Sequence, residues 1–292
     1  MLSVLIASYN TNVVDLIKEL HFQLNEVQIS FEIICLDDAS KSNLNKKNLM
    51  VNELSFCSFL ELESNIGRSA IRNLLASKAS YDWFLFLDSD VLPTSSNFIS
   101  NYIKEIKRNS AAVFLGGIKY RDCDSKNLLR WKFGKQSEEV SVSVRTKNCY
   151  KYFFTANFLI KKEIFKAIKF NENLVNYGYE DLLFSKELEA KSIKIIHLEN
   201  AVFHLGIDKN EVFIGKTKKA IENLGYLIKT NHLQKGDTKV SELYFKIAPY
   251  GIVSFLSLFA VFFEKIANRK ASVIFFNLFR ITYLNGVIKN GK

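Results

Sequence analysis

Short runs of consecutive apolar residues, separated by helix-periodic segments, constrain this chain more than any other feature. LSVLIA (2–7), FEIICL (31–36), FCSFLEL (56–62), WFLFL (83–87) and AAVFLGG (111–117) are too short for core helices and read as strands. Between the first two, Val13, Leu16, Ile17, Leu20 and Leu24 recur at helical spacing after Thr11 and Asn12, which suit a helix start. Ile71, Leu74, Leu75 and Ala79 share one side of a helix predicted over 68–79, and another helix is predicted near 96–107. Strands that are apolar on both faces need helices on both faces. The expected fold class is therefore α/β, with a mostly parallel, Rossmann-like central sheet flanked by helices.

Downstream the pattern loosens. VSVSVRT (140–146) alternates like a half-exposed strand, a helix is predicted from about Asp181, and IKIIHL (193–198) reads as a further strand. The tail changes character again. The run Ile247–Phe263, IAPYGIVSFLSLFAVFF, carries no charge, and its 17 residues sit at the lower limit of about 17–25 for a spanning helix. Pro249 and Gly251 interrupt it, and Arg280 falls inside the next apolar stretch, 271–288. Basic residues (Lys265, Arg269, Lys270, Lys289, Lys292) flank both stretches. Two readings stay open: helices lying on an anionic membrane face, or core helices packed against the rest of the protein.

A length of 292 residues at 48% hydrophobic content is ample for a large core. The first thirty residues lack the basic and apolar regions of a signal peptide, so a cytoplasmic chain is expected, peripheral at the inner face of the cell membrane if the tail binds lipid. Cys35, Cys57, Cys123 and Cys149 form no C-x-x-C pair, which argues against a zinc site and for reduced thiols. The formal charge of +10 suits nucleic acid, an anionic membrane or a phosphate-bearing substrate, and charge alone does not choose. Basic residues are scattered without aromatic interleaving, which disfavours nucleic acid.

Ligands of open α/β sheets bind outside the carboxyl ends of the strands. There this chain places Ser8-Tyr9-Asn10, Asp37-Asp38-Ala39-Ser40, NIGRSAIRN (65–73) and Asp88-Ser89-Asp90. One strand-end aspartate is ordinary turn chemistry. Clustered carboxylates repel one another unless a cation lies between them, and hard divalent ions commonly bridge carboxylates to phosphates. Asp88 and Asp90 thus read as a metal site serving a diphosphate.

The ordered set SVLIASYN, EIICLDDAS, NIGRSAIRN and FLFLDSDVLP, continued by FFTANFLIKKEIF (153–165), FNENLVNYGYEDLLFSKEL (170–188) and VFHLG (202–206), resembles the inverting family 2 glycosyltransferases of the GT-A fold. The resemblance covers roughly residues 1–206, and its later half is similar to galactosyltransferase-like enzymes. It implies a nucleotide-binding role for Ala7, Tyr9, Asn10, Asp37, Asp38, Asn65, Gly67 and Arg72, with Asp88, Ser89 and Asp90 as the metal-binding D-x-D. It implies that Asp181 is the catalytic base, that Glu180 holds acceptor hydroxyls, and that Tyr177, Tyr179 and Asn157 contact the acceptor. His204 would join Asp90 and Asp88 at a Mn2+ or Mg2+ ion. The implied organisation is a glycosyltransferase domain over 1–235, with nucleotide-sugar-binding (1–120) and acceptor-binding (121–235) halves, followed by a helical tail over 236–292.

The implied reaction moves a sugar from a nucleotide diphosphate donor, with UDP expected, to a hydroxyl of a glycan or lipid-linked saccharide. The chain departs from the family pattern in places. Asn171 stands where F-D-E has its aspartate, and Lys161-Lys162 replaces a frequent arginine. Ala39 replaces a usual glycine, so the turn there need not take positive φ. Two other readings are a non-catalytic glycan- or membrane-binding subunit that kept the fold, and a sugar nucleotidyltransferase. The intact D-x-D and E-D pairs oppose the first, and the absence of a glycine-rich phosphate loop after strand one opposes the second.

Overall fold

The computed structural model describes residues 1–122, 124–174 and 176–290, so Cys123 and Val175, the latter inside the FNENLVNYGYED motif, lie outside the described residues. Two compact units result. The first comprises Met1–Arg121, Glu139–Leu174 and Glu180–Gly206; the second comprises Asp122–Glu138, Val175–Tyr179 and Ile207–Lys292.

The first unit opens as the apolar runs require. β1 (Leu2–Ser8), α1 (Val14–Glu26), β2 (Phe31–Asp37), the short α2 (Asn45–Asn48), β3 (Cys57–Glu61), α3 (Arg68–Lys78) and β4 (Trp83–Asp88) alternate along the chain. β5 (Val91–Pro93), α4 (Phe98–Arg108), β6 (Val113–Leu115) and β7 (Ile118–Lys119) follow. In the second unit comes α5 (Leu129–Ser137), and then, back in the first, α6 (Val142–Lys147), β8 (Asn157–Lys161), α7 (Lys162–Ile168), α8 (Glu180–Ala190), β9 (Ile195–His197) and β10 (Val202–His204). The main sheet runs β3-β2-β1-β4-β8-β6-β9 and is parallel except for β8, which pairs antiparallel with both β4 and β6. A smaller sheet, β5-β10-β7, holds Pro93 on an edge strand, where a missing amide costs no ladder bond.

The sheet's core is aromatic. Phe86 stacks on Phe158 at 4.8 Å between ring centroids and on Phe165 at 5.0 Å, and Phe170 stacks on Phe184 at 4.4 Å. Phe184 lies on α8 and Phe86 on β4, so this cluster seats α8 against the strand that ends in Asp88. Such ring pairs contribute about 0.5–1.5 kcal/mol each beyond their buried area.

One local expectation is corrected. Residues 142–147 form α6, not a strand. Val140, Val142 and Val144 are not buried, whereas Arg145 is. Its guanidinium donates to the carbonyls of Val140, Leu115 and Leu198 and faces His197 Nδ1 at 3.0 Å. Satisfying that buried cation overrides the β-favouring alternation of the valines.

The second unit is helical: α5 with α9 (Asn210–Lys229), α10 (Lys239–Ile247), α11 (Ile252–Ser257), α12 (Ala260–Lys270) and α13 (Val273–Asn290). The uncharged run breaks at Pro249 and Gly251, where φ is +74°, into separate short helices. α13 is instead packed into the unit, with Phe276, Phe279 and Leu284 buried and Arg280 set against the Phe133 and Phe276 rings. No helix of the described residues is long and apolar enough to cross a membrane.

Candidate active site

β1, β2 and β4 finish in register at one edge of the sheet. Ser8 lies opposite Asp37, and Ala7 lies opposite Asp88. The chain builds β2 and β3 on one side of β1 and then places β4 on the other, so the topological switch point falls between β1 and β4. The turns after those two strands, Ser8–Asn10 and Asp88–Asp90, project at that crevice.

The β1 and β2 turns are tightly held. Asp37 is fully buried, and its carboxylate accepts from the Ser40 amide at 2.8 Å and the Ser40 hydroxyl at 2.9 Å. This turn puts Ala39 at φ +56°, contrary to the expectation that an alanine there spares the left-handed conformation. The Asp37 cap and the Ala39 amide bond to the Asp37 carbonyl offset the strain of that conformation. Asp38 accepts from the amides of Ile66 (2.7 Å) and Gly67 (3.0 Å), and its carbonyl accepts from Asn65 Nδ2 at 2.9 Å. The 65–67 loop is thus hung on Asp38, and Gly67, at φ +86°, turns the chain into α3. Tyr9 is 60% exposed, Asn10 sits at φ +54°, and the buried Ser8 hydroxyl has no partner among the described residues.

Arg72 is the hub of the β4 side. It is 5% exposed and donates to Asp88 Oδ1 at 2.8 Å and to Thr155 Oγ1 at 3.2 Å. Its other terminal nitrogen lies 4.0 Å from Glu180, which also accepts from Arg68 at 3.3 Å. The D-x-D strand and the E-D helix are therefore joined through α3. Asn73, one position on, clamps the segment after α7 through the Phe170 amide and carbonyl and the Glu172 carboxylate. Asn171 closes its own turn by accepting from the Asn173 amide.

Asp181 opens α8 beside Glu180 and accepts from the Leu182 amide at 2.8 Å. Burial, reinforced by the neighbouring Glu180 charge, pushes its carboxyl up to about 7; the Leu182 amide, Arg72 and Arg68 pull the other way. A carboxylate with that proton affinity suits proton abstraction near neutral pH.

Asp90 lies in the turn between β4 and β5, with Ser89 half-buried beside it. Its Oδ2 is 3.8 Å from His204 Nε2, and the His204 ring stacks on Tyr120 at 5.7 Å. Among the described residues the buried His204 Nδ1 has no hydrogen-bond partner. A Cβ on Gly206 would stand 1.8 Å from Asp90 Oδ2, so the bare glycine makes room for that carboxylate. One oxygen and one nitrogen donor 3.8 Å apart are within reach of a single hard ion, whose ligand bonds run about 2.0–2.2 Å. Among the described residues no group of three or more His, Cys, Asp or Glu is set for a metal. Two protein donors fit an ion that takes the rest of its shell from phosphate and water.

The other expected site residues make contacts of their own. Asn157 is buried, with its amide donating to the Gly117 and Asn200 carbonyls and accepting from Tyr102, so its hydrogen bonds are used within the sheet. Tyr177 and Tyr179 belong to the second unit, where Gly178 and Tyr179 both take left-handed φ and the Gly178 carbonyl accepts from Asn223. Lys161 pairs with Trp83, the first residue of β4, whereas Asp88 is its last; Lys162 donates to the Ala79 carbonyl.

Three contributors escaped the sequence reading: Arg68, Thr155 and Gly206. Each left a trace. Arg68 precedes Arg72 by one helical turn, Thr155 sits in FFTANF, and Gly206 ends VFHLG.

The glycosyl transferase family 2 model matches residues 3–169. No curated protein sequence matches the chain. Among solved structures, a mannosyltransferase from Pyrobaculum calidifontis in complex with GDP-Man and Mn2+ is similar at TM-score 0.60 and 14% identity, over 99% of this chain and 86% of that one. TarS 1–349 from S. aureus in complex with UDP is similar at TM-score 0.52 and 15% identity, over 100% of this chain and 92% of that one. The same TarS fragment with UDP-GlcNAc gives TM-score 0.53 and 15% identity, over 99% and 91%. At these identities the likeness bears on fold, which is the GT-A arrangement of a mostly parallel sheet flanked by helices.

Proposed function

This chain belongs to glycosyl transferase family 2, and on that premise we propose that it is an inverting enzyme that uses a UDP-sugar and a divalent metal. Its acceptor is a hydroxyl on a glycan or lipid-linked saccharide, which suits placement at the cytoplasmic face of a membrane. The observation that carries the reading is Arg72, which ties the D-x-D strand to the E-D helix through Asp88 and Glu180.

Asp181 takes the proton of the acceptor hydroxyl as that oxygen attacks the anomeric carbon, and the nucleoside diphosphate leaves in the same displacement. Burial and the Glu180 charge give it the affinity to do so. Glu180, held by Arg68 and Arg72, orients acceptor hydroxyls. Asp38 and the 65–67 loop it carries shape the pocket for the base, and the exposed Tyr9 contributes to nucleotide binding. Asp90 and His204 would hold Mn2+ or Mg2+, which when bound supplies charge to stabilise the departing diphosphate. Asp88, committed to Arg72, acts as a positioning residue.

A thermal-stabilisation screen tests the donor assignment. UDP-sugars with Mn2+ should raise the melting temperature, since a ligand that binds only the folded state stabilises it. Stabilisation by GDP-sugars and not by UDP-sugars would overturn the uridine assignment.

A further inference from the structure

The 17-residue uncharged run, Ile247–Phe263, is exposed along much of its length. Tyr250 (78% exposed), Phe255 (63%), Leu258 (77%), Val261 (65%) and Phe262 (54%) present large apolar side chains on α11, α12 and the turns beside them. Such a contiguous apolar surface marks an interaction site in a folded protein. Phe262 packs on Phe275 with 6.1 Å between ring centroids, which carries the surface to Ile274, itself 73% exposed. Ile274 also lines a cleft of about 420 Å³ with Val273, Trp131 and Lys135.

The charges are segregated along α12. Leu258 is exposed in the turn before α12, and on the helix itself Phe262 is followed at helical spacing by exposed Lys265 and Arg269, with exposed Lys270 next. Lys246 is exposed at the other end of the run. The acid of α12, Glu264, is taken up by Lys218 at 2.7 Å. Apolar side chains beside a cationic rim are what a helix needs to lie in an anionic lipid interface, its rings among the acyl chains and its ammonium groups at the headgroups. The helices are too short to span.

We infer that α11 and α12 form a monotopic membrane contact, with Phe255, Leu258 and Phe262 entering an anionic lipid surface and Lys265, Arg269 and Lys270 pairing with its headgroups. The contact stands on surface chemistry and is independent of the transfer reaction.

Vesicle flotation of the full chain, without donor or acceptor, tests it. Vesicles containing phosphatidylglycerol should capture the wild type, neutral phosphatidylcholine vesicles should capture it weakly, and salt should reduce the capture. The triple variant Phe255→Ser/Leu258→Ser/Phe262→Ser should weaken binding by at least about tenfold. Lys265→Glu/Arg269→Glu/Lys270→Glu should abolish the preference for anionic lipid, because each basic residue near the surface contributes separately. Unchanged far-ultraviolet circular dichroism and melting temperature show that both variants still fold. Absence of capture, or capture that neither variant reduces, would overturn the inference. So would light scattering that shows a dimer made monomeric by the triple serine variant while vesicle binding persists, which would assign the face to a second copy of the chain.

Discussion

The Arg72 guanidinium donates to the Asp88 carboxylate at 2.8 Å from a position that is 5% exposed. A sequence places these two residues sixteen positions apart, on a helix and at a strand end; the fold makes them one charged unit, with Glu180 on the same arginine at 4.0 Å.

Removing the arginine therefore leaves a carboxylate without its partner. Arg72→Ala should destabilise the protein by about 1–3 kcal/mol, less than for a fully buried pair because the Asp88 carboxylate left behind is partly exposed to water. The double variant Arg72→Ala/Asp88→Ala should cost clearly less than the sum of the two single changes, as expected for partners in direct contact. Urea unfolding of the four proteins measures both quantities.

Acidity should set the rate through Asp181. With its carboxyl pushed up to about 7, kcat/KM should fall about tenfold per pH unit below that point as the base is protonated. Glu180→Gln removes a charge that raises the Asp181 value, so the break should move to lower pH even as overall activity drops.

The same group should leave a mark on stability, with the opposite sign to an ion-paired carboxylate. Its folded-state affinity exceeds that of an exposed aspartate, about 3.9, so between that value and about 7 the native state binds the extra proton. Stability contributed by Asp181 is then full at low pH and is lost as pH rises through this window. Asp181→Asn should raise the melting temperature at pH 8 by a few degrees, and the difference should vanish towards pH 4, as differential scanning calorimetry will show.

Gly206 should be intolerant of one methyl group. A Cβ there would stand 1.8 Å from Asp90 Oδ2, so Gly206→Ala should displace that carboxylate. Its φ is not left-handed, so the collision alone is at work. Apparent Mn2+ affinity should fall about tenfold to a hundredfold, as when a group that orients a metal ligand is altered. Titrating activity against Mn2+ reads this directly.

Phe184 should couple core packing to catalysis. It stacks on Phe170 at 4.4 Å and contacts Phe153, Phe158 and Phe165 while carrying the helix of Glu180 and Asp181. Phe184→Ala should cost about 3–5 kcal/mol in urea unfolding and lower kcat, and Phe184→Leu should recover most of both.

The alternation of apolar runs and helix-periodic segments made the parallel part of the sheet legible, because burial on both faces leaves that signature in Leu2–Leu5 and Phe84–Leu87. Residues 140–146 misled because their pattern records β propensity, whereas what decides the local structure is where Arg145 must send its guanidinium. Ala39 misled because propensity at one residue is outweighed by the hydrogen bonds of Asp37 to Ser40. Strand ends showed which acids share a rim. They did not show that Arg72 spends a hydrogen bond on Asp88, that Asn157 is consumed by the Gly117 and Asn200 carbonyls, or that Gly206 clears the space of Asp90. Those relations join residues distant in the chain and arise only when the elements pack.

The role of Asp181 is the centre of the account, and one paired measurement addresses it. Asp181→Asn and wild type are compared for donor affinity by calorimetry and for single-turnover transfer to acceptor, in the same buffer with Mn2+. Donor affinity should stay within about twofold and transfer should fall by at least about a hundredfold, the lower end of what general base catalysis contributes. Transfer at the wild-type rate would contradict that role.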